Sequence, residues 1–371
     1  MKKFLRFVLA FITVITGFIY LLSCLTPYIS PVRFWPFTFL ALGYPVLVIV
    51  MIGLIVLWAF VRRKIALVLF ILFLLGYKNL TSTWALNVPS TFNYKKDSTA
   101  LRVLSWNVRY FNNNIRAAAD TSRIRMMDFI RGANADIILL QDYVDYWRKE
   151  EFFSNDETIR DSLGYKYFFT SNDFVDAHSY GGVVKGSAIF SRIPIIDSGK
   201  SIYKNIAEPE TIMYADIIFQ NKRMRFYTTH LISMNILPHS GLLEEQGRER
   251  YDSAYRYSKK IMHTIKHYAQ IHAREADFVK DVVSKSPYPS IITGDFNSVP
   301  SSYVYNTIKG NKQDAFIEKG LGLGHSYYGL SKTLRIDYIL ADHSFKFLQF
   351  TAPVLYLSDH FPLITDIKWA K

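Results

Sequence analysis

Apolar positions follow two different patterns along this chain. Up to about residue 86 they form long unbroken runs, and from Leu101 onward they come in short strand-like bursts separated by turns and helical repeats. The runs Phe4–Leu25 and Pro36–Val61 both exceed the roughly 20 residues that cross a hydrocarbon core, and the second holds no charge in its 26 residues. Lys2 and Lys3 ahead of the first run are also how a cleavable signal peptide begins, but no small-x-small site follows and the second run starts at once. A third run, Ile65–Tyr77, stops at Lys78 and reaches spanning length only by continuing to Trp84; a re-entrant or interfacial segment is the alternative. The pattern therefore predicts a transmembrane region over residues 1–86, with segments at about 4–25, 36–61 and 65–84, then a polar, turn-rich linker over 87–100.

Beyond the linker, LRVLSWNV, ADIILLQ, GSAIFS, TIMYADIIF, MRFYTTHL, SIITGDF, RIDYILA and FKFLQF read as strands. TSRIRMMDFIRGA has helical spacing at Ile124, Met127 and Ile130. The region Arg248–Ser284 has it at Ile261, Ile265, Tyr268, Ala276, Val279 and Val283. The mixture predicts an α/β sandwich over residues 101–371.

Charge separates the same two parts. Ten of the 44 basic residues lie between Met1 and Lys96, where there is no Asp or Glu, so the remaining chain holds 34 basic against 31 acidic residues. Most of the formal net charge of +13 thus belongs to the apolar region, and bulk charge gives no argument for a nucleic-acid partner. Lys2, Lys3, Arg6 and the cluster Arg62, Arg63, Lys64 place the N-terminus and the second connection in the cytoplasm; three crossings then carry the rest of the chain outside, two leave it inside. The single cysteine, Cys24, excludes an intramolecular disulfide.

Polar side chains gather where the apolar bursts end: Asn107, Gln141 with Asp142, His230, Asp295 with Asn297, Asp337, and Asp359 with His360. Strand ends let a rigid sheet present such groups into one cleft, and acids gathered there call for a cation. Oxygen donors without a thiolate suit a hard ion such as Mg²⁺ or Mn²⁺. His263 and His267, four apart on the long helical pattern, lack a partnering Glu and read as a solvated face.

In order and spacing, SWNVRYF, DIILLQD, GSAIFSR, TTHL, GDFN, RIDYIL and SDHFPL resemble the endonuclease/exonuclease/phosphatase superfamily, over about Leu101 to Trp369. The resemblance implies a DNase I-like two-sheet sandwich flanked by helices. It implies Asp142, Asn107 and Asp359 as residues at the metal, although the family's usual Glu is replaced by the shorter Asp at 142. It further implies His360 as general base oriented by Asp337, Asp295 as a group that orients the attacking water or assists the leaving group, and Asn297 and His230 as contacts to the phosphoryl oxygens. Water would attack phosphorus directly, with no serine or cysteine nucleophile. The substrate stays open between a phospholipid headgroup, a nucleic acid and a small organic phosphate, in diester or monoester form. Arg148, Arg192, Lys222, Arg223 and Arg225 are the candidates for a nucleic-acid groove. The bilayer is an expected partner, no protein partner is implied, and a catalytically inactive tethered scaffold is the alternative from another class.

Overall fold

The computed structural model describes residues 2–88, 90–112, 119–146, 154–177, 182–203, 210–233, 248–329 and 334–370. The chain divides into two compact units: Met1–Thr83 with Ile232–Asp277 and Ser298–Thr307, and Trp84–Leu231 with Phe278–Asn297 and Ile308–Lys371.

In the first unit, helices α1 (Lys2–Ser23) and α2 (Phe37–Val61) are long and apolar enough to cross a membrane. They expose apolar side chains such as Phe7, Phe18, Val46, Ile49 and Phe60, as lipid-facing helices do. Their few polar groups turn inward: the Trp58 indole N–H donates to Thr13 Oγ1 at 2.8 Å, and the Tyr20 hydroxyl donates to the Phe73 carbonyl at 2.8 Å. The third segment is not one straight helix. It is a pair, α3 (Arg63–Leu75) and α4 (Tyr77–Thr83), bent by 65° at Gly76, and it makes a third span only if the pair is taken together. A side chain at Gly76 would collide with the Tyr20 hydroxyl, and the Gly76 carbonyl accepts from the Tyr44 hydroxyl at 3.1 Å, so packing against α1 and α2 accompanies the bend.

The second unit is a sandwich of two mixed sheets. Its strands are β1 (Leu101–Asn107), β2 (Ile137–Tyr146), β3 (Tyr167–Thr170), β4 (Phe174–Asp176), β5 (Val183–Ser191), β6 (Ile195–Ile202), β7 (Thr211–Phe219), β8 (Lys222–His230), β9 (Ser290–Asp295), β10 (Gln313–Asp314), β11 (Asp337–Ala341), β12 (Phe345–Thr351) and β13 (Leu363–Trp369). One sheet runs β12-β13-β1-β2-β5-β3, with β4 also on β5, and the other runs β10-β11-β9-β8-β7-β6. Alternate residues of β1 enter different cores. Leu101 and Val103 meet Met213, Phe226 and Ile291 between the sheets, while Leu104 and Trp106 meet Met126, Met127 and Ile130 of helix α5 (Ala119–Ala133). That double burial explains why β1 and β2 read as nearly continuous apolar runs. Helix α5 turns Met126, Met127 and Ile130 inward and leaves Ile124 exposed, so the spacing that included Ile124 placed the edge of the apolar face wrongly.

Each sheet contains one parallel pair, and this positions the site. β1 and β2 run parallel, and β1 ends at Asn107 opposite Gln141, whereas β2 continues through a bulge to Tyr146, so Gln141 and Asp142 lie within a strand and not at its end, where the sequence pattern places them. β8 and β9 run parallel and end together at His230 and Asp295. Antiparallel β11 begins where β9 ends, so Asp337 lies opposite Asp295.

Candidate active site

Across β8, β9 and β11 the strand register sets His230, Asp295 and Asp337 side by side. The first sheet supplies Asn107, whose Nδ2 donates to Asp295 Oδ2 at 3.1 Å. His360 comes from the segment ahead of β13. Its Nδ1 lies 2.9 Å from Asp337 Oδ2 and its Nε2 lies 3.5 Å from Asp295 Oδ2. Backbone contacts hold that segment: the Trp106 indole donates to the His360 carbonyl at 2.9 Å, and Ser358 Oγ donates to the Asn107 carbonyl at 2.8 Å. Ser326 Oγ accepts from the Asp337 amide at 3.0 Å, and the Tyr327 ring lies 4.8 Å from the imidazole of His360. Asn297 has φ 46°, a left-handed conformation that Asn tolerates, and its Nδ2 donates to the Leu231 carbonyl at 2.7 Å while lying 3.4 Å from His230 Nε2. A Cβ at Gly294 would collide with the Thr229 carbonyl, so the glycine of GDFN lets β8 and β9 approach.

His230, Asp295, Asn297, Asp337, His360 and Asn107 therefore meet, and Asp142 and Asp359 flank them. Asp142 sits where the β2–β5 register breaks between Leu140 and Tyr143, with φ 47°. A bulge there re-aims the side chain, which reaches His230 Nδ1 at 3.5 Å. Asp359 reaches Arg109 Nε at 3.5 Å instead. The sequence reading missed Glu210, whose Oε1 lies 3.4 Å from His230 Nδ1. It precedes β7, and antiparallel pairing of β7 with β8 returns the start of one strand to the end of the other, so polar residues before apolar bursts needed the same attention as those after them.

Electrostatics at this cluster are dominated by buried acids around two imidazoles. Burial would depress His230, but Asp142, Glu210 and then Asp295 outweigh it and hold its pKa well above the usual histidine value. Burial acts on His360 in the same sense, and Asp337 and Asp295 raise it to about 9. Burial raises Asp295 to about 6, with His360 pulling it down and Asp337 pushing it up. Burial also raises Glu210, against the pull of His230.

Two sets of donors are available to a metal. Among the described residues, Asp295, Asp337 and His360 offer ligand atoms within 4.8 Å of one another. One of those contacts is already the His360–Asp337 hydrogen bond, and a nitrogen donor suits a hard ion poorly. Asp142, Asp359 and the Asn107 amide are all-oxygen donors, and the two carboxylates keep 16% and 22% of their side-chain surface exposed. Donors of this chemistry suit a strongly hydrated Mg²⁺, which binds through one or two carboxylates.

Glu210→Gln removes a charge from His230 without changing shape. It is expected to lower kcat of the phosphoester hydrolysis that the resemblance implies about tenfold, the equivalent of one charged hydrogen bond of ~1.5 kcal/mol. Because Glu210 raises the His230 pKa, the alkaline limb of the pH–rate profile is expected to move to lower pH; an unchanged limb would rule out a protonated His230 in the reaction.

Residues 104–360 match the endonuclease/exonuclease/phosphatase family, and residues 3–83 match a domain of unknown function (DUF8431). No curated protein matches the chain. Among solved structures, the catalytic domain of human nocturnin with a bound sulfate anion is 18% identical, with 73% of this chain and 94% of that one covered and a TM-score of 0.51. An endonuclease/exonuclease/phosphatase from Beutenbergia cavernae is 16% identical, covering 73% and 72%, with a TM-score of 0.52. A family protein from Bacteroides thetaiotaomicron is 17% identical, covering 74% and 100%, with a TM-score of 0.51. At these identities the likeness establishes the fold.

Proposed function

Because the chain belongs to the endonuclease/exonuclease/phosphatase family, we propose that it is a membrane-anchored, divalent-metal-dependent phosphodiesterase that hydrolyses its substrate by direct attack of water. The observation that carries this reading is the His360 imidazole, with Nδ1 2.9 Å from Asp337 and Nε2 turned toward Asp295. Asp337 fixes the tautomer that leaves Nε2 free to take a proton from water. Asp295 orients that water or assists the departing oxygen. His230 and the second N–H of Asn297 donate to the phosphoryl oxygens as negative charge grows there. Asn107, Asp142 and Asp359 would hold Mg²⁺ or Mn²⁺, which supplies Lewis-acid stabilisation of the phosphoryl charge when bound.

His360 must be neutral to accept a proton, and its neighbours hold it protonated up to about pH 9. Activity should therefore rise with pH on the acid limb, and a cation near Asp359 would draw that limb down. The side chains His360, Asp295 and Asp337 argue against an inactive scaffold.

A phospholipid headgroup diester is the substrate class most in keeping with a tethered enzyme. The candidate groove cations support a nucleic acid less. Lys222, Arg223 and Arg225 lie at the start of β8, whereas His230 ends it, and both arginines pair with Asp216 at 2.7 and 2.6 Å. Arg192 covers the Tyr165 ring at 4.6 Å, and Arg148 lies outside the described residues. Anchoring rests on the apolar helices, and the positive-inside argument puts the catalytic unit on the extracytoplasmic side when the bent pair completes a third crossing.

Hydrolysis of a diester with a chiral phosphorothioate centre in ¹⁸O-water tests the reaction course. Direct attack is expected to invert configuration at phosphorus; retention would require a covalent enzyme intermediate and overturn the reading.

A further inference from the structure

One long helix, Arg248–Ser284, lies between the strand that ends in His230 and the strand that leads to GDFN. The proposed reaction makes no use of its outward face. From residue 253 to residue 274 it has no Asp or Glu but has Arg256, Lys259, Lys260, Lys266 and Arg274. The described side chains sort by face. Ala269, His272 and Ala273 are buried and Ile261, Ile265 and Tyr268 half-buried, whereas Lys259, Lys260, Met262, His263, Lys266 and His267 are exposed. At 100° per residue these six occupy one arc, with Met262 at its edge. Among the described residues no carboxylate pairs with Lys259, Lys260 or Lys266.

Position tells what such an arc faces. Residues 232–277 form one compact unit with the two apolar spans. Ala269 and His272 line a small cavity with Thr26, Ile29, Phe37 and Ala41, the residues where α1 ends and α2 begins. This is the end of both spans, where hydrocarbon gives way to headgroups. The connection there carries Tyr28, 62% exposed and covered by the Lys78 ammonium at 4.3 Å, together with Arg33 and Trp35, as interfacial anchors do. Lys259 to His267 precede Ala269 by no more than ~15 Å of helix.

We infer that the outward face of this helix, Lys259, Lys260, Met262, His263 and Lys266, lies on the headgroups of an anionic bilayer leaflet. The ammonium groups meet lipid phosphates, and Met262 enters the boundary between headgroup and chain. The inference rests on the membrane reading of the two spans but not on the phosphodiesterase reading, because it is read by binding alone. A nucleic acid would also suit the charges, but an arc joined to membrane-spanning helices favours lipid.

The test uses the full chain with Cys24→Ser and Met262→Cys, labelled with an environment-sensitive dye and placed in nanodiscs of phosphatidylcholine with or without phosphatidylglycerol. Brominated lipid is expected to quench the dye about twofold more in the anionic discs, and Lys259→Glu with Lys260→Glu and Lys266→Glu should abolish the difference. Circular dichroism checks that these surface variants keep their helix. A dye that stays in water in both discs while the protein remains inserted would overturn the inference alone. Protection by single-stranded DNA without quenching by lipid would overturn it in favour of a nucleic-acid face. Failure of the chain to insert at all would overturn the membrane reading and this inference with it.

Discussion

His360→Ala is expected to lower kcat on a phosphodiester by about 10³-fold, roughly 4 kcal/mol of transition-state stabilisation, with KM changed little. The imidazole is buried, oriented by Asp337 at 2.9 Å, and lies 3.5 Å from Asp295; His230, whose Nε2 lies 3.6 Å from the same carboxylate, is held protonated by its neighbouring acids and so makes a poor substitute base. Asp337→Asn should lower kcat less, because the ring stays but loses the charge that fixes its tautomer. The double variant should be no worse than His360→Ala, since a positioning residue has nothing left to position. Additive losses would mean that Asp337 acts on the substrate independently.

Arg102→Ala is expected to cost about 3–5 kcal/mol of folding stability, measured as a lower urea midpoint for the full chain in detergent. Arg102 is fully buried in β1 opposite Asp366 of β13, with Nε and Nη2 donating to the carboxylate at 2.7 and 2.9 Å. The same guanidinium donates to the carbonyls of Asn93, Tyr94 and Ala133. Truncation leaves Asp366 charged and buried, with Gln349 Nε2 at 2.7 Å its remaining side-chain donor among the described residues. Removing both charges together, as Arg102→Met with Asp366→Leu, should recover most of the loss, because the penalty belongs to the orphaned carboxylate.

That ion pair also explains where the sequence was hard to read. LITDIKW became the strand between β12 and β1, yet Asp366 and Lys368 interrupt its apolar pattern, and nothing local signals that Arg102, 264 residues earlier, neutralises the aspartate. Ile195–Ile202 was missed for a different reason: it is an edge strand with half its side chains in water. The strands buried on both faces were legible because burial on two sides leaves an unbroken apolar run. Most of the cluster was legible too. Polar residues closing those runs mark strand ends at Asn107, His230 and Asp295, and parallel pairing brings His230 and Asp295 to one edge, whereas Asp142 lies at a bulge within a strand that runs on to Tyr146. Glu210 was not, because its place depends on β7 pairing antiparallel with β8, which no residue type announces. The bend at Gly76 likewise depends on Tyr20 and Tyr44, partners outside the segment itself.

Release of p-nitrophenol from bis-p-nitrophenyl phosphate by the full chain in detergent, with Mg²⁺ or Mn²⁺ and then with EDTA, tests the central claim most directly. Turnover that needs the metal, vanishes in EDTA and returns when the ion is restored is the expected result. Failure of the folded protein to turn over with any divalent ion, or turnover indifferent to EDTA, would contradict it.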